Sequence, residues 1–462
     1  MHARLDAATQ PGALDREKLP LVIALDSVLR SNPVHEAYGS GLNGLLQSPR
    51  EALGALIRGD RSIREWLTSL STIDYGALPY EPAVLNLALS ARAQHRKVYL
   101  ATVNSAVHAA AIAAHFGLDG VVALDVQGAV VDTDDPETHK LCRDGFEYVG
   151  SDRTTAAWRD VSRGDVVGSD RNVTGRQWLA ALRVYQYAKN VLVFVPLLTS
   201  HHFNLPSFGN AVLAFLAFST CASSAYLLND ILDLPADRHH PIKRNRAIAS
   251  GALPIASALI AIPCLAVTSL LIATAVSWPF LMTVVTYLVL TIAYSVLLKK
   301  MLLVDIIALA GLYTIRILGG AIAIGVHLSE WLLIFSLFVF TSLALIKRYG
   351  ELTMRQGARL ADPVHRDYRV GDLNIVATLA GASGMNAITV FSLYISSPAV
   401  TSAYSSPWLL WMLDPLLLYW IGRALMIAHR GGMQDDPIVY TFKDGPSRTT
   451  VLLMTCIALA AI

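Results

Sequence analysis

Charge is scarce in this sequence. Of 462 residues only 16% are Asp, Glu, Lys or Arg, against about 25% in an ordinary soluble domain, and this excludes a disordered or wholly soluble chain. Neither sign dominates. The formal net charge of +2 is too small for the concentrated basic face of a nucleic-acid-binding protein, so no nucleic acid partner is expected. The four cysteines, Cys142, Cys221, Cys264 and Cys456, are too dispersed for a disulfide framework or a zinc-ligand spacing and read as packing residues. The first twenty residues lack the apolar core of a cleavable signal peptide, which leads us to expect the N-terminal part in the cytoplasm.

What the chain has is apolar residues, 54% of the total, unevenly spread. Up to about residue 175, short β-branched runs (Leu21 to Leu25, Val98 to Thr102, Val121 to Leu124, Tyr148 to Val149) alternate with helical stretches such as Glu81 to Gln94, the pattern of a soluble α/β domain with a parallel sheet. A polar stretch, Arg159 to Arg176, reads as linker. From Trp178 onward long apolar segments follow, at 178–199, 209–228, 252–275, 279–298, 302–325, 330–346, 372–395, 407–427 and 447–462, most of them near the ~20 residues that span a bilayer. The fold class expected is thus an α-helical integral membrane protein of about nine transmembrane helices behind an N-terminal α/β domain. Loop charge supports this count. Alternate loops hold Arg238, Lys243, Arg244 and Arg246, then Lys299 and Lys300, then Lys347, Arg348, Arg355, Arg359, Arg366 and Arg369, then Arg430, Lys443 and Arg448; the opposite loops 200–208, 276–278, 326–329 and 396–406 hold no Lys or Arg. This is the positive-inside pattern of a multi-pass inner (cytoplasmic) membrane protein.

One loop stands out chemically. After the second span the chain reads Asn229, Asp230, Asp233, Asp237, Arg238, Lys243 and Arg244, and the i, i+3, i+7 spacing puts the three carboxylates on one face of a helix end. Three carboxylates in a stripe repel unless a cation neutralises them. Mg²⁺, bound through a few carboxylates plus substrate phosphate oxygens, suits them, and the basic residues that follow suit the phosphates; the alternative is a solvated loop at the membrane surface. Arg316 lies mid-segment with no charge for ten residues on either side, a cost that points to an anion in a polar cavity or to a structural pair such as Asp305. Lys189 and Asn190 interrupt the first apolar segment, for phosphate contact or for snorkelling to the interface. Asp414, just before Pro415, suits the cap of a broken helix.

Asn229-Asp230-x-x-Asp233-x-x-x-Asp237 resembles the first aspartate-rich motif of the UbiA superfamily of intramembrane prenyltransferases, which bind an isoprenoid diphosphate through Mg²⁺. From about residue 178 the chain is similar to one branch, the polyprenyl-phosphate phosphoribosyltransferases. The resemblance is carried by Gln186 to Asn190, by Tyr294, Ser295 and Lys299 with Asp305, Arg316, Gly319 and Gly320, by Lys347-Arg348-Tyr349-Gly350-Glu351-Leu352, and by Asp435 to Asp444. It implies Mg²⁺ as cofactor on Asp230, Asp233 and Asp237, and substrate contacts from Lys189, Asn190, Asn229, Arg238, Lys243, Arg244, Tyr294, Lys299, Arg316, Lys347, Arg348, Tyr349 and Glu351. Ordinary members carry a second aspartate-rich loop where this chain has the mainly cationic Lys347 to Glu351 segment, which suits a further phosphate or is simple positive-inside charge.

Residues 18–168 resemble the haloacid dehalogenase (HAD) superfamily, with Asp26 in the place of the nucleophile, Thr102 ending a second motif, Lys140 as the cation and Asp152 as the metal-binding acid. Val28 stands where a second acid is expected, so general acid catalysis, worth about 10²–10⁴-fold, is missing, and the domain is expected to be degenerate. The division implied is 18–168, a linker at 169–177, and a membrane transferase domain at 178–462. The resemblance implies transfer of a 5-phosphoribosyl group from phosphoribosyl diphosphate to a polyprenyl phosphate at the bilayer, supplying a lipid-linked pentose donor for arabinosylation of a glycoconjugate. The two-part arrangement is also similar to nodulation proteins, which would make a symbiotic signal the product's destination. Alternatives are prenyl transfer to an aromatic acceptor, or a membrane scaffold without catalysis.

Overall fold

The computed structural model describes residues 19–32, 35, 36, 39, 73–102, 106–123, 141, 145–150, 173–360, 362, 366–433 and 436–462. The chain divides into two compact units, Met1–Ala181 with Leu227–Ile260, and Leu182–Tyr226 with Ala261–Ile462.

In the first unit, β1 (Leu21–Ala24), β2 (Val98–Thr102), β3 (Gly120–Ala123) and β4 (Glu147–Val149) form one sheet in the order β3-β2-β1-β4. All its pairings are parallel, with Leu21 facing Val98 on one side and Glu147 on the other. Parallel strands need crossover connections, and α1 (Pro82–Ala93) and α2 (Ala106–Phe116) lie before and after β2. Alternate residues fill opposite faces. Leu21, Ile23, Val98, Leu100 and Val149 pack with Ala88, Ala91, Ala109 and Ile112, whereas Val22, Ala24, Tyr99, Ala101 and Val122 pack with Phe146 and Tyr148. Both faces are buried, which is why the strands read as apolar runs and not as alternation. Asp26 follows β1 and Thr102 ends β2, at the carboxyl ends of paired strands; Asp26 is exposed and Thr102 buried. Val28 is 2% exposed and belongs to the apolar core. Lys140, Asp152, Cys142 and most of the linker lie outside the described residues.

The apolar segments form long helices, defined here as α3 (Leu205–Leu232), α4 (Leu234–His239), α5 (Ile255–Val276), α6 (Trp278–Val296), α7 (Val304–Ile324), α8 (Glu330–Gly357), α9 (Leu373–Ile395), α10 (Leu413–His429), α11 (Pro437–Lys443) and α12 (Gly445–Ala461). Among the described residues seven are long and apolar enough to cross a membrane, against the nine segments expected. The last, α12, has 17 residues. The first is not a continuous α-helix but a 3-10 segment, Val184–Phe194, entered through a left-handed Arg183 (φ 52°) and followed by a short turn of helix at Val195–Thr199. Arg183, Gln186 and Lys189 explain the break, since their polar ends need partners that a lipid-facing helix could not give; Arg183 finds one above the Tyr226 ring, 5.0 Å from its centroid.

Within the second unit, α7 is the helix against which the site is built. Leu303 precedes it in a left-handed conformation (φ 61°), a strained state for a branched side chain, and its N–H donates to the Tyr368 hydroxyl at 3.1 Å. At the far end Gly325 (φ 73°) closes the helix. Between them Gly320 lets α7 meet the 3-10 segment, because a Cβ there would lie 2.1 Å from the Val193 carbonyl oxygen. Gly320→Ala is therefore expected to destabilise the protein by about 2 kcal/mol through overpacking. Gly311→Ala, on the same helix with no atom nearer than 4.0 Å, should be neutral or slightly stabilising through helix propensity. Thermal unfolding of both variants in detergent compares them, and equal midpoints would refute the packing argument.

Candidate active site

The carboxylate loop lies in the first unit. Helix α3 ends at Leu232 and α4 begins at Leu234, with Asp233 between them and Pro235 in the first turn of α4. Backbone bonds from Asp233 to Asn229 and from Asp237 to Asp233 keep helical spacing across the break, so the stripe survives. Asp230 and Asp237 converge on one point: Arg246 Nη1 lies 3.1 Å from Asp230 Oδ1 and 2.5 Å from Asp237 Oδ2. The Asn229 amide donates to Asp233 Oδ2 at 3.0 Å. Burial pushes the Asp237 carboxyl above the ordinary range, further than Arg246 and Lys243 draw it down, and Asp233 adds to the rise. Two buried carboxylates aimed at one cationic atom, with a third acid on the same stripe, form a hard oxygen donor set that fits Mg²⁺. Among the described residues no three acidic, His or Cys side chains already form a closed metal cluster, and Mg²⁺ usually completes its shell with water and substrate phosphate.

The loop's basic residues have different surroundings. Arg238 makes two hydrogen bonds to the Glu36 carboxylate, whereas Lys243 and Arg244 lie exposed in a 3-10 turn.

A second group lies in the second unit. The 3-10 segment presents Lys189 and Asn190, both buried. Lys189 Nζ lies 3.0 Å and Lys347 Nζ 3.2 Å from Asp436 Oδ2, and the Tyr313 hydroxyl donates to the same carboxylate at 2.8 Å. Burial alone would raise the Asp436 carboxyl; the two ammonium groups and the Lys189 and Tyr313 hydrogen bonds outweigh it and hold it well below the ordinary range. One helical turn beyond Tyr313, Arg316 is 4% exposed. Its guanidinium donates to Asn190 Oδ1 and the Tyr287 hydroxyl, each at 2.7 Å, and to the Leu312 carbonyl, and lies over the Tyr287 and Tyr313 rings. Asn190 is itself fixed by Ser219 at 2.9 Å. Among the described residues no carboxylate pairs with Arg316, whereas Lys189 and Lys347 share the single Asp436.

Asp305 belongs to a third network. It is fully buried and meets Arg348 Nη2 at 2.6 Å and the Tyr368 hydroxyl at 2.7 Å; Arg348, 1% exposed, also bonds Glu351, which takes a further bond from Arg366. The Tyr349 hydroxyl lies 2.7 Å from His429 Nδ1. Tyr294 and Lys299 are half-buried, on α6 and in the turn after it. Asp414 hydrogen-bonds Ser392 at 2.8 Å.

The arrangement is that of an enzyme family. Residues 191–443 match the UbiA prenyltransferase family. The chain belongs to it. This family membership makes the protein a multi-pass membrane transferase, with the aspartate motif at the end of α3. A protein of Sinorhizobium fredii, y4nM, is 31% identical along 93% of this chain and 88% of its own length. The nodulation protein NoeC of Azorhizobium caulinodans is 33% identical over 59% of this chain and 89% of NoeC, and the decaprenyl-phosphate phosphoribosyltransferase of Mycobacterium tuberculosis is 30% identical over 57% and 87%. NoeC is thus nearly used up by 59% of this chain, so the expected likeness to nodulation proteins in two-part arrangement does not extend to it, whereas y4nM matches along 93% of the chain. A UbiA homologue from Archaeoglobus fulgidus, solved with GPP and Mg²⁺, covers 62% of this chain and 99% of its own, at 14% identity and TM-score 0.48.

Sequence reasoning did not single out Arg246, Tyr287, Tyr313, Ser219 or Asp436 as site residues. Tyr313 was the most accessible to it, three residues before Arg316 on one helix face, and Asp436 sits next to Pro437 in a cytoplasmic-type loop. Asp436→Asn should strand the buried Lys189 and the half-buried Lys347 and cost about 3 kcal/mol at neutral pH. Because the folded carboxyl is depressed, its contribution is fully present above the unfolded value of about 3.9 and is lost only as pH falls through the lower folded value. Unfolding midpoints of wild type and variant should therefore differ equally at pH 7 and pH 5, as assayed, and converge only under stronger acid; convergence already at pH 5 would refute the pairing.

Proposed function

We propose that this chain transfers a 5-phosphoribosyl group from phosphoribosyl diphosphate to a polyprenyl phosphate. The bond from ribose C1 to the diphosphate oxygen breaks with its electron pair leaving on diphosphate, and a bond forms from C1 to a lipid phosphate oxygen. The observation that carries this reading is the Lys189, Lys347 and Arg316 group, in which two lysines share one carboxylate and the arginine has none among the described residues, where ordinary members would use a second acidic loop. It calls for another anion, which a polyprenyl phosphate supplies and an aromatic acceptor does not. Relatives at 30% identity named decaprenyl-phosphate phosphoribosyltransferase support the same choice.

Asp230 and Asp237, assisted by Asp233 and Asn229, would hold Mg²⁺, which supplies positive charge to the departing diphosphate. Lys243 and Arg244, exposed beside them, meet diphosphate oxygens from solvent. In the second unit Lys189 and Lys347 bind phosphate as point charges, and Arg316 as a planar fork already oriented by Asn190 and Tyr287. Asp436 holds both lysines in place between turnovers. Tyr287 and Tyr313 present their rings to Arg316, and Tyr313 also to Lys189. Arg348, engaged by Asp305 and Glu351, aligns α7 with α8 and supports this group indirectly, while Tyr294 lies within electrostatic reach of Lys347 and Arg348.

The basic loops orient the chain in a cytoplasmic membrane with the α/β domain in the cytoplasm, where water-soluble phosphoribosyl diphosphate is supplied. The α/β domain is HAD-like and degenerate, with the core residue Val28 in place of a general acid. The product is a lipid-linked pentose phosphate for glycoconjugate arabinosylation, a nodulation signal among the destinations.

Membranes holding the protein, given labelled phosphoribosyl diphosphate and polyprenyl phosphate, should yield lipid-extractable label. Asp230→Asn and Asp237→Asn should each lower this by about 10²-fold or more with unchanged membrane insertion; normal turnover at limiting Mg²⁺ would sink the metal assignment. Lys347→Ala should raise KM for the polyprenyl phosphate by about tenfold, in line with a lost charge-assisted contact. A lowered unfolding midpoint with unchanged KM would make Lys347 structural.

A further inference from the structure

The α/β domain grips the carboxylate loop. Glu36 and Arg238 are 202 residues apart, yet the Arg238 guanidinium donates to the two Glu36 carboxylate oxygens at 2.9 and 2.5 Å. Both side chains are nearly inaccessible. Two close backbone approaches flank this pair. Gly251, at φ +72°, lies so near Arg30 and Pro79 that a Cβ would come within 2.6 Å of Arg30 Cβ, and one at Gly39 would contact Ile231. His239 also meets Asp74 at 3.1 Å, an exposed pair of little energetic worth. All these residues belong to the first unit.

Burying an ion pair gains little stability over an apolar contact of the same size. A bidentate arginine–carboxylate pair instead fixes direction. Direction matters here because Arg238 immediately follows Asp237. Unheld, its guanidinium would be a second arginine beside Asp230 and Asp237, which already share Arg246. Two arginines would match these two carboxylates charge for charge and compete with any other cation for them. We propose that Glu36 is a positioning residue for the transferase: by holding Arg238 away, it keeps Asp230 and Asp237 open to a metal-bound diphosphate, and the α/β domain serves as a clamp on this loop. The role rests on the assignment of Asp230 and Asp237 given above.

The test uses full-length protein in nanodiscs, as wild type, Glu36→Gln, Glu36→Asp and the double variant Glu36→Gln with Arg238→Gln. Hydrogen exchange, read without substrate, should rise about tenfold in Glu36→Gln over Leu234 to Ser250 and stay unchanged in strands β1 to β4, with Glu36→Asp between. With phosphoribosyl diphosphate varied, Glu36→Gln should raise KM about tenfold at nearly constant kcat. The double variant should be no worse than Glu36→Gln alone, since removing Arg238 removes the need for Glu36. Unchanged loop exchange and KM would overturn the clamp, as would strands that lose protection together with the loop. Increased loop exchange in a protein that transfers nothing from phosphoribosyl diphosphate would uphold the clamp and overturn the reaction proposed above.

Discussion

A guanidinium deep in an apolar helix bundle has to be solvated by protein, and Arg316 sets much of the second unit's internal arrangement by that need. Its donors require Asn190, which only a broken first segment can bring to α7, and Asn190 in turn requires Ser219 on α3. Tyr287 and Tyr313 supply ring faces and a hydroxyl. No carboxylate cancels the charge among the described residues. An apolar residue at 316 would have spared the fold this polar cage, and the anion proposed above would give the arginine a use.

The carboxylate loop solves the converse problem. Three acids near one another are unstable unless cations reach them, and basic residues follow within the same loop. Arg246 bridges Asp230 and Asp237, while Arg238, the immediate neighbour of Asp237, is bound by Glu36. The two arginines have the same chemistry and lie eight positions apart, and their different surroundings come from a segment near the start of the chain. The loop therefore belongs, by its contacts, to the α/β unit although its sequence lies between apolar spans.

That contrast marks what could be read in advance. Local signals carried far: β1, β2 and β4 were legible because buried parallel strands are short apolar runs, the long helices because bilayer-spanning stretches are apolar throughout, and the aspartate stripe because i, i+3, i+7 is a property of one turn. The interruption of the 178–199 segment by polar residues was legible too, but not its outcome, a 3-10 segment in place of an α-helix. Long-range pairings were not legible. Nothing local to Asp305 announces Arg348 and Tyr368, and nothing local to Arg238 announces Glu36, because charge complementarity has many equivalent solutions until packing selects one.

The Lys347-Arg348 pair shows the limit most directly. As a string it is one basic patch after the sixth span, and either a phosphate site or positive-inside charge accounts for it. On a helix, however, successive residues point about 100° apart, so two adjacent cations cannot serve one anion equally. Arg348 turns into Asp305 and Glu351, where it is buried and paired with both. Lys347 turns toward Asp436, which it shares with Lys189. A planar fork suits the fixed pair of carboxylates and a compact, mobile ammonium suits a ligand that exchanges. The order Lys then Arg thus divides the patch into one residue that holds the helices and one that remains able to meet a phosphate.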